Sequence, residues 1–180
     1  TPPCCGLTGG GRRSRGFAVE KIWLRNYPAG VPAEINPNEL ASLQALIERS
    51  FAKFADRPAY TCADRTITYG DLDRLSRQFA AYLQQVAGLR KGDRVAIMLP
   101  NILQYPVVIA AAFRAGLTVV NTNPLYTPRE LEHQLKDSGA RAIVILESFA
   151  HTLAEVREAT GVETVIVTGL GDLFGFPKST

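Results

Sequence analysis

Cysteine is scarce in this 180-residue chain: Cys4, Cys5 and Cys62 are an odd number with no CxxC spacing. That argues against a disulfide scaffold or a structural zinc site, and the reduced thiols of a cytoplasmic protein fit better. Long hydrophobic runs are missing too. The longest weakly interrupted one, residues 105–113, is far short of the roughly 18 residues that mark a bilayer span. Most of the chain also lacks any excess of basic residues. The net charge of +3 equals the contribution of Arg12, Arg13 and Arg15, which lie in a stretch, 1–18, without Asp or Glu. A protein that binds nucleic acid by neutralising phosphates carries its basic excess in the folded body, so no nucleic-acid partner is expected. What is present is a chain 46% apolar and 21% charged. That is enough to build one core, and too apolar for wholesale disorder.

Residues 1–18 (TPPCCGLTGGGRRSRGFA) differ in character from the rest of the chain. They are rich in Gly, Arg and Pro and show no hydrophobic period. The pair Arg12-Arg13 is followed by no apolar core, because Glu20, Lys21 and Arg25 interrupt the place where a signal would continue. The segment reads as an extraneous or disordered lead, with the true start near Val19. Residues 19–34 then form a loop-like entry. In it Ile22, Trp23 and Leu24 make a small apolar anchor, suited to docking onto the protein's own body or to peripheral contact with the inner face of a membrane.

Leu40, Leu43, Ile47, Phe51 and Phe54 recur at helical steps and predict an amphipathic helix, capped by Asn36 or by Ser42 and ended by Arg57-Pro58. Residues 59–62 and 66–69 predict a β-hairpin around Ala63, Asp64 and Arg65. Thr68 and Asp71 form a capping-box pair ahead of Leu72, Leu75, Phe79, Leu83 and Val86, with Gly88 as C-cap. Beyond Gly88 strands and helices alternate regularly. Residues 94–99 read as a buried strand, and 102–115 as a helix with Pro106 near its first turn and Gly116 as its cap. The next strand is 117–121. Thr127-Pro128-Arg129-Glu130 starts a helix that ends at Gly139; 141–146 is a third strand, 149–160 a helix closing at Gly161, and 163–168 a fourth strand. Four strands alternating with three helices imply an α/β fold: a mainly parallel sheet, right-handed crossovers and helices on both faces.

The chemistry-bearing motifs are weak. Gly169 and Gly171 suggest a dinucleotide fingerprint, but GxGxxG requires glycine at 174, where Phe174 stands, so a glycine-rich turn is the better reading. Pro177-Lys178-Ser179 lacks the glycines of a phosphate-wrapping loop, and 11–16 (GRRSRG) misses the GxSxG elbow by one residue. His133 and His151 have no partner histidine at i+4 and read as surface or capping residues. Asp71 and Asp73 are two apart on a helix and face different ways. Residues 121–126 (NTNPLY) form the most polar loop after a strand, where open α/β sheets bind ligands; turn chemistry explains the same residues equally well.

Thr68-Tyr69-Gly70-Asp71-Leu72 resembles the first core motif of adenylate-forming enzymes, (L/I)(T/S)YxEL, with Asp in place of Glu. Phe113-Arg114-Ala115-Gly116-Leu117 resembles the second, (L/M)(K/R)AG running into a strand. Tyr27-Pro28-Ala29-Gly30, Gln104-Tyr105-Pro106 and the 121–126 loop are similar to bacterial long-chain fatty acyl-CoA synthetases. The resemblance covers roughly residues 19–168. It implies an enzyme that uses ATP, Mg²⁺ and coenzyme A to convert a fatty acid into acyl-adenylate and then acyl-CoA. It also implies that 19–180 is the incomplete first part of a large N-terminal AMP-binding domain, cut before its phosphate loop. The family's Ser/Thr/Gly-rich loop ending in Pro-Lys-Gly, its Tyr-Gly-x-Thr-Glu stretch, its ribose-holding Asp, its hinge and its C-terminal Lys have no match here. No catalytic, cofactor-binding or metal residue carries over, so the chain alone is expected to be inactive. Two alternatives stay open: another adenylate-forming enzyme of aryl-CoA ligase or luciferase type, and a stand-alone non-catalytic α/β module.

The front segment has no apolar face to bury. Thermal melts of the chain with and without residues 1–18 should therefore coincide, whereas a drop of several degrees on deletion would contradict that reading.

Overall fold

The computed structural model describes residues 19–175. The lead of 1–18, with its GRRSRG stretch, and Pro177-Lys178 lie outside them. The chain divides between Glu39 and Leu40 into two compact units. In the first, Ile22–Asn26 form a 3-10 turn with no buried residue, and Lys21 pairs with Glu34. Asn36 does not cap a helix; its Oδ1 accepts the Asn38 N–H at 3.0 Å and closes a local turn.

The second unit opens with α1 (Leu43–Lys53). Ser42 is its cap, accepting the Ala45 N–H at 3.0 Å, so the helix starts after Leu40. It also stops ahead of Arg57-Pro58, because the Arg57 N–H turns back to the Phe54 carbonyl at 2.8 Å. The hairpin pairs β1 (Pro58–Cys62) with β2 (Arg65–Thr68). Its turn residues, Ala63 and Asp64, are both left-handed (φ 45° and 65°), the backbone that a tight two-residue hairpin turn demands. Then α2 (Tyr69–Gln85) begins on a reciprocal box: Thr68 Oγ1 accepts the Asp71 N–H, and Asp71 Oδ2 accepts the Thr68 N–H, each at 3.1 Å. Gly88 takes a left-handed φ of 66° past the helix end, and the Leu89 N–H reaches back to the Leu83 carbonyl at 2.9 Å.

The sheet is built from β3 (Arg94–Met98), β4 (Thr118–Asn121), β5 (Ala142–Leu146) and β6 (Thr164–Thr168), in the order β4-β3-β5-β6 and parallel throughout. Its crossovers run through α3 (Gln104–Arg114), α4 (Pro128–Ser138) and α5 (Ala150–Val156). Two boundaries depart from the sequence reading. Residues 100–103 form a turn, with the Ile102 N–H on the Pro100 carbonyl, so α3 starts at Gln104. After α5 the backbone tightens into a 3-10 turn, Arg157–Ala159, and the extended Thr160 ends it by donating its hydroxyl to the Arg157 carbonyl at 2.8 Å. Gly161 is not left-handed and does not close the helix.

The two-residue period of the strands sends alternate side chains to opposite faces. Val95, Ile97 and Val144 pack with Ala80 and Leu83 of α2 and Ala111 and Ala112 of α3. Ala96, Met98, Ile143 and Ile145 pack with Leu131 and Leu135 of α4 and Leu153 and Val156 of α5. Helices on both faces are thus observed. Between α3 and β4 the chain turns on Gly116, at φ 71°, where an added Cβ would lie 3.0 Å from Lys91 Cγ. The lysine stem can yield; the backbone angle cannot. Gly116→Val should lower stability by about 1–2 kcal/mol through the cost of a β-branched residue at positive φ. A urea midpoint unchanged from the parent sequence would contradict this.

Candidate functional site

Ligands of open α/β sheets bind at the carboxyl ends of the strands, where the winding reverses. Here the reversal lies between β3 and β5, since β4 is added on one side of β3 while β5 and β6 extend the other. The loop after β4 is polar in sequence, but its groups are committed. Tyr105 Oη donates to Asn121 Oδ1 at 3.1 Å, and Gln134 Nε2 donates to the Asn121 carbonyl at 3.0 Å. Asn123 Oδ1 accepts the Leu125 N–H at 3.0 Å, a turn-closing bond, and Thr122 is buried with its N–H on the Ile97 carbonyl. In this loop, turn chemistry accounts for Asn123, and Asn121 is held by Tyr105 and Gln134.

The glycine-rich turn after β6 is likewise closed on itself. Asp172 Oδ2 accepts both the Gly169 N–H and the Thr168 hydroxyl at 2.8 Å. A Cβ on Gly169 would stand 3.0 Å from Asp172 Oδ1 and 3.4 Å from Glu147 Oε1. Phosphate sites need free N–H donors and positive potential. This turn offers an occupied donor beside two carboxylates.

An apolar groove of about 460 Å³ lies between α2, α3 and β6, lined by Leu75, Phe79, Tyr82, Val107, Ile166 and Val167 among others. Gln104, at the start of α3, is set in its wall and is only 6% exposed. Its Nε2 donates to the Gly169 carbonyl at 2.7 Å, which fixes the amide orientation, and its Oε1 has no partner among the described residues. The sequence carries a faint signal of this in a lone amide heading the otherwise apolar run 105–113. Its burial against the distant turn at Gly169 was not readable from that signal.

His133 is exposed on α4, on the rim of a shallow hollow with Tyr126, Arg129 and Glu130. His151 is exposed on α5, 3.3 Å from Thr152 Oγ1. Asp71 serves the α2 cap, and the Thr68 N–H bond holds its carboxyl below the usual range. Glu130 does the same for α4 through Thr127. Asp73 turns elsewhere, toward Arg77 and Arg114. Among the described residues no group of three or more His, Cys, Asp or Glu is placed to hold a metal ion, and no helix is long and apolar enough to cross a membrane.

Residues 47–179 match the AMP-binding enzyme family. The chain belongs to that family. It is 56% identical over 162 residues to the long-chain-fatty-acid–CoA ligase of Salmonella typhimurium, covering 90% of this chain and 29% of the relative. To the ligase of the same name from Bacillus subtilis it is 37% identical over 161 residues, covering 89% and 28%. Among solved structures, a long-chain-fatty-acid-CoA ligase from Archaeoglobus fulgidus superposes with a TM-score of 0.68 at 28% identity, over 85% of this chain and 31% of that one. The chain spans under a third of the length of these relatives. The resemblance read from Thr68–Leu72 and Phe113–Leu117 is borne out at the level of the family. In this AMP-binding segment both motifs are structural: the first is the hairpin-to-helix cap, the second the left-handed exit from α3.

Asp172→Ala removes the acceptor that occupies the Gly169 N–H. Exchange of that amide should accelerate about fivefold to tenfold, the equivalent of one hydrogen bond of roughly 1 kcal/mol. NMR-detected exchange at an unchanged rate would show that Asp172 does not hold the turn.

Proposed function

We propose that this chain is the opening part of a longer enzyme that activates long-chain fatty acids with ATP and joins them to coenzyme A. The observation that carries the reading is the 56% identity, sustained over 90% of the chain, to a ligase of that name. In the chemistry proposed, a carboxylate oxygen attacks the α-phosphorus of ATP and pyrophosphate leaves, giving acyl-adenylate. The coenzyme A sulfur then attacks the acyl carbonyl, AMP leaves with the C–O electron pair, and the thiol proton is released. Such reactions run on positioning and on neutralising phosphate charge. In this reading the described residues serve as the frame for that positioning. Mg²⁺ is implied by the resemblance; among the described residues no group of three or more His, Cys, Asp or Glu is placed to hold a metal ion.

The reading places the enzyme in the cytoplasm, where ATP and coenzyme A are supplied, with no role for nucleic acid. Peripheral contact with the inner membrane face is the accompanying proposal, supported by Ile22 and Trp23, which are exposed on the turn Ile22–Asn26. Their pairing with a membrane suits an enzyme whose substrate partitions into lipid.

Two pyrophosphate-exchange assays with palmitate test the reading, one on the 180-residue chain and one on the extended reading frame. The chain should show no fatty-acid-dependent exchange and the extended protein should show it. Exchange by the chain alone would overturn its inactivity, and an extended protein active only on aromatic acids would overturn the substrate.

A further inference from the structure

Resting on the reading that the chain is part of a longer ligase, we propose that the groove between α2, α3 and β6 is filled in the whole protein by the stretch of the same chain next after Thr180. That stretch packs an apolar face into the groove.

Two observations converge on this occupant. The groove is hydrophobic to its floor, where Val108 and Val144 meet Ile166, and its rim leaves Tyr82 39% and Val167 52% exposed. Apolar surface of this kind, contiguous on the face of an edge strand, marks a place where something else packs. The second is the route of the chain. Asp172 and Leu173 are themselves part of the groove wall, so the backbone that continues from Gly175 starts at the rim. A tethered segment acts at a far higher effective concentration than a second copy.

Two measurements on the full-length parent test the proposal. In the first, Tyr82 is replaced by the photoreactive residue benzoylphenylalanine and the irradiated protein is digested for mass spectrometry. The captured peptide should come from the same molecule and lie within roughly 30 residues after Thr180, room for two helices of ordinary length. Capture of a remote segment or of a second copy overturns the proposal. The second needs no variant. Hydroxyl-radical footprinting of the unmodified parent should show Tyr82 and Val167 modified at least about tenfold more slowly than in the urea-unfolded protein, at every protein concentration and without added fatty acid. Modification at the unfolded rate overturns the proposal. So does protection that vanishes on dilution, which assigns the groove to a second copy, and so does protection that requires palmitate, which assigns it to the acyl substrate. Palmitate-dependent ligase activity is measured on the same sample. A protected Tyr82 in a protein without that activity keeps this inference and removes the functional reading.

Discussion

Burying β5 from both sides is the constraint on which the rest of the fold depends. All five residues of Ala142–Leu146 are buried, and a parallel strand of this kind is stable only between two paired neighbours and beneath two layers of helix. β3 and β6 provide the pairing. The layers come from the winding: one crossover returns through α3 on one face, and the next two, through α4 and α5, cover the other. The reversal that covers both faces is also what opens the carboxyl edge between β3 and β5, the place where such folds bind ligands.

At that edge the two loops are closed by hydrogen bonds, while Gln104 Oε1 has no partner among the described residues. Asn123 and Asp172 each close their own loop, Thr168 bonds to Asp172 and Gln104, and Asn121 accepts from Tyr105 and Gln134. Charge is spent on structure too. The buried Arg114 side chain donates to Glu48 of α1 at 2.9 Å and to Asp73 of α2 at 2.5 Å, with its guanidinium 5.7 Å from the Phe51 ring centre. Three helices are tied at one point. At the opposite end of the sheet, Arg141 reaches Asp93 and Glu163 at 2.6 Å each. The Arg90 N–H and the nearby Arg141 hold the Asp93 carboxyl below its usual range, and the hydrogen bond from Arg141 does the same for Glu163. These ion pairs hold the frame of the segment together.

Much of that frame is written locally and was legible. Thr68 with Asp71, and Thr127 with Glu130, are capping boxes whose partners lie three residues apart, so spacing alone reveals them. Gly116 and Gly139 mark left-handed exits for the same local reason. The failures are at ends set by competition or by distant contacts. The apolar stripe of α1 continues to Leu40, but Ser42 captures the Ala45 N–H and sets the start. α5 loses its regularity at Val156, where a 3-10 turn and the Thr160 hydroxyl take over from Gly161. At the candidate site, periodicity carries no information on which strand neighbours which. The burial of Gln104 against Gly169, sixty-five residues away, was therefore out of reach. The groove it belongs to exists only once β6 is placed beside β5.

The loops at the carboxyl edge of this sheet are closed by their own hydrogen bonds, and we propose that the chain by itself holds no nucleotide there. A titration of the isotope-labelled chain with ATP and Mg²⁺, followed through its backbone amides, tests it most directly. The amides of 121–127 and 169–175 should stay in place up to millimolar ATP, because the Gly169 N–H is committed and two carboxylates stand beside it. Saturable shifts confined to those two loops would contradict the account.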